Sequence, residues 1–192
     1  MTVTAPRSRR RFIALPLALG LGLGWSASAS TTRAADALGW APLKQTIRER
    51  FPAVRHLSVT ELNAWLHDSA RPAPLLIDTR SAEEYADGHL PGAVHAESVA
   101  QFQQLQRRLG PQAVGRPVVL YCSVGYRSSA LATSLGRSGS GGATVYSLEG
   151  SIFEWANRGL PVVASHGQTA KVHPYNRQWG RLLRRELWSR EP

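Results

Sequence analysis

Three largely apolar runs set the tightest limit on how this chain folds: Pro74-Leu75-Leu76-Ile77, Pro117-Val118-Val119-Leu120-Tyr121 and Ala143-Thr144-Val145-Tyr146-Ser147-Leu148. A strand with water on one face alternates apolar and polar residues, whereas a strand covered on both faces reads as an unbroken apolar run. Shorter stretches at His56-Leu57-Ser58 and Ala93-Val94-His95 would bring the strands to five. Helical patterns lie between them. Their starts have the form of capping boxes, Ser58 with Glu61, Ser81 with Glu84, Ser98 with Gln101 and Ser151 with Glu154. Gly88, Gly110, Gly136 and Gly159 stand where those helices are expected to stop. Such alternation implies an α/β fold, a central and mainly parallel five-stranded sheet with helices on both faces.

The charge of the chain sits at its ends. The net charge is +10 over 192 residues. Arg7, Arg9, Arg10 and Arg11 face no acid before residue 30, and Lys171, Arg177, Arg181, Arg184, Arg185 and Arg190 outnumber Glu186 and Glu191 after residue 165. The centre is close to balanced, so the basic total does not argue for a nucleic-acid-binding domain. At the N-terminus the arginines precede an apolar stretch from Phe12 to Trp25 and an Ala27-Ser28-Ala29 cleavage pattern. Residues 1–29 therefore read as an export signal, too short and too glycine-rich for a good membrane span. Ser8-Arg9-Arg10-Arg11-Phe12-Ile13 resembles a twin-arginine motif; the plainer reading is a general secretory signal whose arginines supply only charge. Either places the protein in the periplasm or otherwise outside the cytoplasm.

Residues 30–55 read as a linker and a short helix. Leu43, Ile47 and Phe51 repeat every four residues, and Pro52 ends the pattern. Residues 166–192 form a basic C-terminal extension expected to be helical, with Trp179, Leu182, Leu183 and Leu187 on one face. That face either docks on the chain's own domain or meets a partner protein or an anionic membrane surface.

Cys122 is the chain's one cysteine, so no internal disulfide and no cysteine-clustered zinc site can form. A lone cysteine is commonly a small buried hydrophobe. This one follows the apolar run 117–121 and opens Cys122-Ser123-Val124-Gly125-Tyr126-Arg127-Ser128, after which Ala130, Leu131, Ser134 and Leu135 continue as a helix. It therefore lies at the C-terminal end of a strand and before a helix N-terminus, where open α/β sheets bind ligands. Loop N–H groups, the helix terminus and Arg127 would all favour negative charge on sulfur, and the thiolate is the nucleophile. Gly125 supplies the positive φ such a loop needs. The thiol is expected to be exposed and, lacking a partner, prone to oxidation.

These motifs resemble the rhodanese family. Leu76-Ile77-Asp78-Thr79-Arg80, Glu84-Tyr85 with Gly88-His89-Leu90-Pro91-Gly92-Ala93, the loop Cys122 to Ser128, and Leu148-Glu149-Gly150 with Trp155 to Pro161 match its signatures in order over residues 56–165. The resemblance implies one rhodanese domain and a sulfurtransferase. Its sole catalytic residue would be Cys122, and Ser123, Val124, Gly125, Tyr126, Arg127 and Ser128 would hold the substrate. It implies a small anionic sulfur donor such as thiosulfate, a thiol or cyanide acceptor, and neither cofactor nor metal. Phosphatases and arsenate reductases of similar architecture resemble a loop one residue longer, so the four residues between Cys122 and Arg127 favour sulfur. An exported persulfide carrier or docking module with little turnover of its own is the alternative. Asp78 and Arg80 would support the site by steering charge or by fixing the strand end as an ion pair. His89 reads as a hydrogen-bonded turn residue.

Overall fold

The computed structural model of the chain describes Met1 and residues 39–138, 142–164 and 167–192. The export-signal reading and most of the glycine-rich loop at 138–142 lie outside the described residues. The described chain runs α1 (Trp40–Arg50), β1 (Arg55–Leu57), α2 (Val59–Leu66), β2 (Leu75–Asp78), α3 (Ala82–Asp87), β3 (Val94–His95), α4 (Val99–Leu109), β4 (Val118–Tyr121), α5 (Tyr126–Ser138), β5 (Val145–Leu148), α6 (Ser151–Asn157), β6 (Val162–Ala164), β7 (Gly167–Thr169) and α7 (Arg177–Gly180). One five-stranded sheet has the order β1-β5-β4-β2-β3, and every neighbouring pair is parallel. β6 and β7 form a separate antiparallel pair that the sequence reading did not anticipate.

All four residues of β2 and all four of β4 are buried, as unbroken apolar runs require. Their side chains alternate between two cores. Leu75, Ile77, Val118 and Leu120 pack with Phe102 of α4 and Leu131, Ala132 and Leu135 of α5. Leu76, Val119 and Tyr121 point the other way, into a cluster with Val59, Leu62 and Trp65 of α2 and Ile152, Phe153 and Trp155 of α6. Val172, Leu183 and Leu187 of the C-terminal extension join this second cluster.

The extension is therefore packed on its own domain, but it is not the helix expected over 166–192. Its helical content is the four-residue α7 and a single 3-10 turn, Arg185–Leu187. The backbone is held by the domain instead. Val172 N donates to Leu187 O at 2.8 Å and Ser189 N to Val172 O at 3.0 Å. Asn157 donates to Leu182 O at 2.7 Å and accepts from Arg184 N at 2.9 Å. Arg190 reaches back to Asp87 and Glu83 on α3.

The capping boxes hold at Ser58/Glu61 and Ser81/Glu84. At Ser98 only half forms: its hydroxyl accepts from Gln101 N, while the Gln101 side chain accepts from Glu97 N. At Ser151 the reading fails. The residue at the cap is Gly150 (φ 68°), and Ser151 is itself held at φ 47° inside the helix. Gly136 also departs from its expected role as a stop, lying within α5.

The strand order places the switch point of the sheet between β2 and β4. The chain leaves β2 towards β3 on one side and leaves β4 towards β5 on the other. The loops beyond the two strand ends diverge and leave a crevice, the usual ligand position in an open parallel sheet.

Candidate active site

Cys122 follows the last residue of β4 and stands at this crevice. It is not the exposed thiol the sequence suggested, being only 1% accessible. It forms the floor of a cavity of about 130 Å3 walled by Ser123, Val124, Tyr126 and Arg127 and by Tyr175 and Trp179. Gly125 N–H donates to the sulfur at 3.2 Å, and the Ser128 hydroxyl lies 3.8 Å from it. Gly125 has φ 114°, and a Cβ there would lie 3.3 Å from Leu148 O, so the turn that aims this N–H at sulfur needs glycine. The N-terminus of α5, beginning at Tyr126, adds its partial positive charge to the same side.

The loop is propped from behind by serines. Ser129 Oγ donates to Gly125 O at 2.7 Å and lies 3.0 Å from Ser147 Oγ, and the Ser128 and Ser147 hydroxyls are 2.9 Å apart. Ser151 accepts from Cys122 N at 3.1 Å and donates to Leu148 O at 2.8 Å. Its positive φ is local strain, and the outcome is a hydroxyl that fixes the cysteine backbone. Cys122 N is thus committed to Ser151, and of the expected ring of loop donors it is Gly125 N–H that bonds to the sulfur.

Arg127 does not stand free at the mouth. Its guanidinium forms a two-pronged bond with Glu84 at 2.8 and 2.7 Å, donates to Ser123 Oγ at 3.0 Å, and lies 4.7 Å from the centre of the Tyr175 ring. Glu84 comes from α3, after β2, so the ion pair bridges the crevice between the two diverging loops. The sequence marked Glu84 as a capping residue, which it is, since it accepts from Ser81 N at 3.0 Å. Its second role depends on which helices the strand order brings together. Burial would raise the Glu84 pKa, but Arg127 and the Ser81 N–H outweigh it and bring it down from 4.5 to about 2. The Arg127 guanidinium is raised despite burial, through Glu84 and the Cys122 sulfur.

A folded pKa below the ordinary carboxylate value means that this pair's stabilisation is present above about pH 4.5 and is lost as pH falls towards 2. Arg127→Ala should accordingly lower stability at pH 7 by leaving the Glu84 carboxylate buried and unpaired. Adding Glu84→Gln should restore most of that stability. If Arg127 also binds donor, the KM for thiosulfate should stay raised in the double variant, and Arg127→Lys should fall between wild type and Arg127→Ala. A wild-type KM in the double variant would leave Arg127 with a structural role only; thermal melts and steady-state kinetics decide.

Asp78 and Arg80 are both fully buried. Arg80 Nε and Nη2 bond the Asp78 carboxylate at 2.7–3.1 Å, and Nη2 also donates to Gly88 O at 2.6 Å. The ion pair, one of the two roles open in the sequence, is present and fixes the end of β2 to Gly88 at the end of α3. His89 is hydrogen-bonded as expected but is not in a turn: its backbone forms an isolated antiparallel bridge with Val163, and its ring is bonded to Tyr85 O at 2.8 Å and stacked on the Tyr85 ring at 3.8 Å. Tyr126 lines the cavity and also packs edge-on against Phe51 at 5.1 Å. Tyr175 and Trp179 were not foreseen as site residues, because nothing local to the extension says which surface it covers.

The rhodanese-like domain family matches residues 58–158. A sulfurtransferase of Allochromatium vinosum is 36% identical over 93 residues, covering 48% of this chain and 81% of that protein. A tRNA sulfurtransferase of Desulfurococcus amylolyticus is 40% identical over 85 residues, which are 44% of this chain and only 15% of that one. Among solved structures, a rhodanese-related protein of Thermoplasma volcanium aligns with TM-score 0.45 and 21% identity over 57% of this chain and 97% of its own. The matched segment runs from the cap of α2 to the end of α6 and contains the whole Cys122 loop, and by that match the chain belongs to the rhodanese-like family.

Proposed function

We propose that this protein moves sulfane sulfur from thiosulfate, or a similar small anionic donor, to a thiophilic acceptor through a persulfide on Cys122, and that it does so after export from the cytoplasm. The observation that carries this is the Gly125 N–H aimed at the Cys122 sulfur at 3.2 Å, at the floor of a cavity in the sheet's switch crevice. In the donor step the Cys122 thiolate attacks the outer sulfur of thiosulfate. The new bond joins the two sulfurs, the old sulfur–sulfur bond breaks, and its electron pair leaves with sulfite. The acceptor then attacks the outer persulfide sulfur and returns the thiolate, so one transfer becomes two easier ones. Gly125 N–H and the start of α5 offset negative charge on sulfur in both states. Arg127 adds a cation beside the path of the anion.

Intact mass of the mature protein after thiosulfate treatment tests this. One added sulfur, together with loss of the leader up to about Ala29, is the expected result. An unchanged mass after incubation with excess donor would remove the persulfide. An uncleaved leader would remove only the export claim. The second reading is a carrier that hands sulfur to a partner. Steady-state turnover with thiosulfate and cyanide separates the two, because a carrier loads once and stalls.

A further inference from the structure

The cavity over Cys122 is closed on one side by residues that lie outside the family-matched segment. Tyr175 and Trp179 belong to the C-terminal extension, yet they line the same cavity as Cys122, Ser123 and Arg127. The contact is specific. The Arg127 guanidinium carbon lies 4.7 Å from the centre of the Tyr175 ring, while its nitrogens hold Glu84.

The segment that presents these rings is held firmly. Tyr175 sits at φ 67°, a conformation costly for a bulky residue, which persists only when its surroundings impose it. Its N–H donates to His173 Nδ1 at 3.0 Å. Asn176 caps α7 by accepting from Trp179 N at 2.9 Å. Gly180 is packed so closely on Pro174 and Trp188 that a Cβ would clash with the indole at 2.8 Å. Beyond it, Asn157 clamps the backbone at Leu182 and Arg184. A loosely draped tail would show none of this.

We propose that Tyr175 and Trp179 are the specificity-determining wall of the site, restricting sulfur transfer to compact donors and acceptors and turning away bulky thiols such as tripeptides. The inference rests on the sulfur-transfer reading and deepens it. Cys122 is 1% accessible, so even with one sulfur added, about 2 Å further out, the reacting atom stays inside the cavity. An acceptor must bring its own nucleophilic atom within about 3–3.5 Å and in line. Cyanide is narrow enough to enter end-on between Tyr126, Trp179 and Tyr175. The sulfur of glutathione carries a tripeptide behind it, which must occupy the space the two aromatic rings already fill. Discrimination of this kind comes from a clash built against the wrong partner, and it needs no added contact with the right one.

The test is single-turnover discharge of persulfide-loaded protein to cyanide and to glutathione. Tyr175→Asn keeps a residue tolerant of positive φ while removing the ring. Trp179→Ala removes the other wall. Each should raise the glutathione rate relative to the cyanide rate by about tenfold or more. Trp179→Phe should give an intermediate ratio. Because Trp179 is partly buried and its truncation could weaken the fold, Tyr175→Asn, at an exposed residue, carries the test alone if the Trp179 variants lose structure. An unchanged glutathione-to-cyanide ratio in well-folded Tyr175→Asn overturns the wall. Failure of the wild type to load sulfur at all would overturn the underlying sulfur-transfer reading instead.

Discussion

Cys122→Ser will lower thiosulfate:cyanide turnover to below about one per cent of wild type, since loss of a covalent nucleophile typically costs several orders of magnitude. The fold should survive. The side chain is replaced by one of similar shape that can still accept from Gly125 N–H, and the backbone bond from Cys122 N to Ser151 does not depend on the sulfur. The chain has no second thiol to take over the reaction. Two measurements belong together, the steady-state rate and the intact mass after donor. A folded Cys122→Ser protein that keeps more than about one per cent of the rate would mean that sulfur passes without a cysteine persulfide. The covalent route would then have to be abandoned, whatever the family match.

Asp78→Ala should have the largest effect on stability. Arg80 is fully buried, and the Asp78 carboxylate is its charge partner. Burial opposes the charge on Arg80, and Asp78 more than offsets that, holding the guanidinium above its ordinary value. With the carboxylate gone, Arg80 keeps its bond to Gly88 O and the attraction of Glu84 but loses its hydrogen-bonded counter-charge, and its Nη1 already lacks a hydrogen-bond partner among the described residues. Breaking a buried pair by removing one member costs about 3–5 kcal/mol. Against a total stability of about 5–15 kcal/mol this is severe. For a chain of this size it corresponds to a fall of roughly 6–20 °C in the melting midpoint. A well-packed apolar replacement of both residues, such as Asp78→Leu with Arg80→Met, should be far milder, because the cost lies in the orphaned charge. A loss below about 1 kcal/mol in Asp78→Ala, measured by urea unfolding, would show that the guanidinium finds other compensation.

These two results would also separate the parts of the signature that act on sulfur from those that hold the frame. The Asp78-Thr79-Arg80 motif ties β2 to Gly88 at the end of α3 and, through the Thr79 N–H and hydroxyl that both donate to Tyr121 O, to the strand end before Cys122. These are contacts of the frame, so its effect on turnover should follow its effect on folding. Arg127 stands between the two cases. It is part of the cavity and also half of the bridge to Glu84, which is why the paired variant with Glu84→Gln is needed to divide its roles.

What the sequence by itself determined was everything that depends on neighbours along the chain. The unbroken apolar runs gave β2 and β4, because burial on both faces leaves no room for alternation. Ser58/Glu61 and Ser81/Glu84 marked helix starts, because a cap is made within four residues. Cys122 at a strand end, with Gly125 three residues on, marked the site for the same reason. What only the tertiary structure decided was every relation set by strand order and packing. The reversal between β2 and β4 makes a crevice and brings Glu84 to Arg127 over 43 residues. Ser151 looked like a cap and became the prop of the cysteine, because its hydroxyl had a buried N–H to satisfy. The C-terminal extension looked like an amphipathic helix, yet its apolar residues are shared between the core and the mouth of the site, a division its periodicity could not express. Local patterns record which faces a segment must bury. They carry no record of what those faces will be buried against, and that is where Tyr175 and Trp179 acquired their place beside the sulfur.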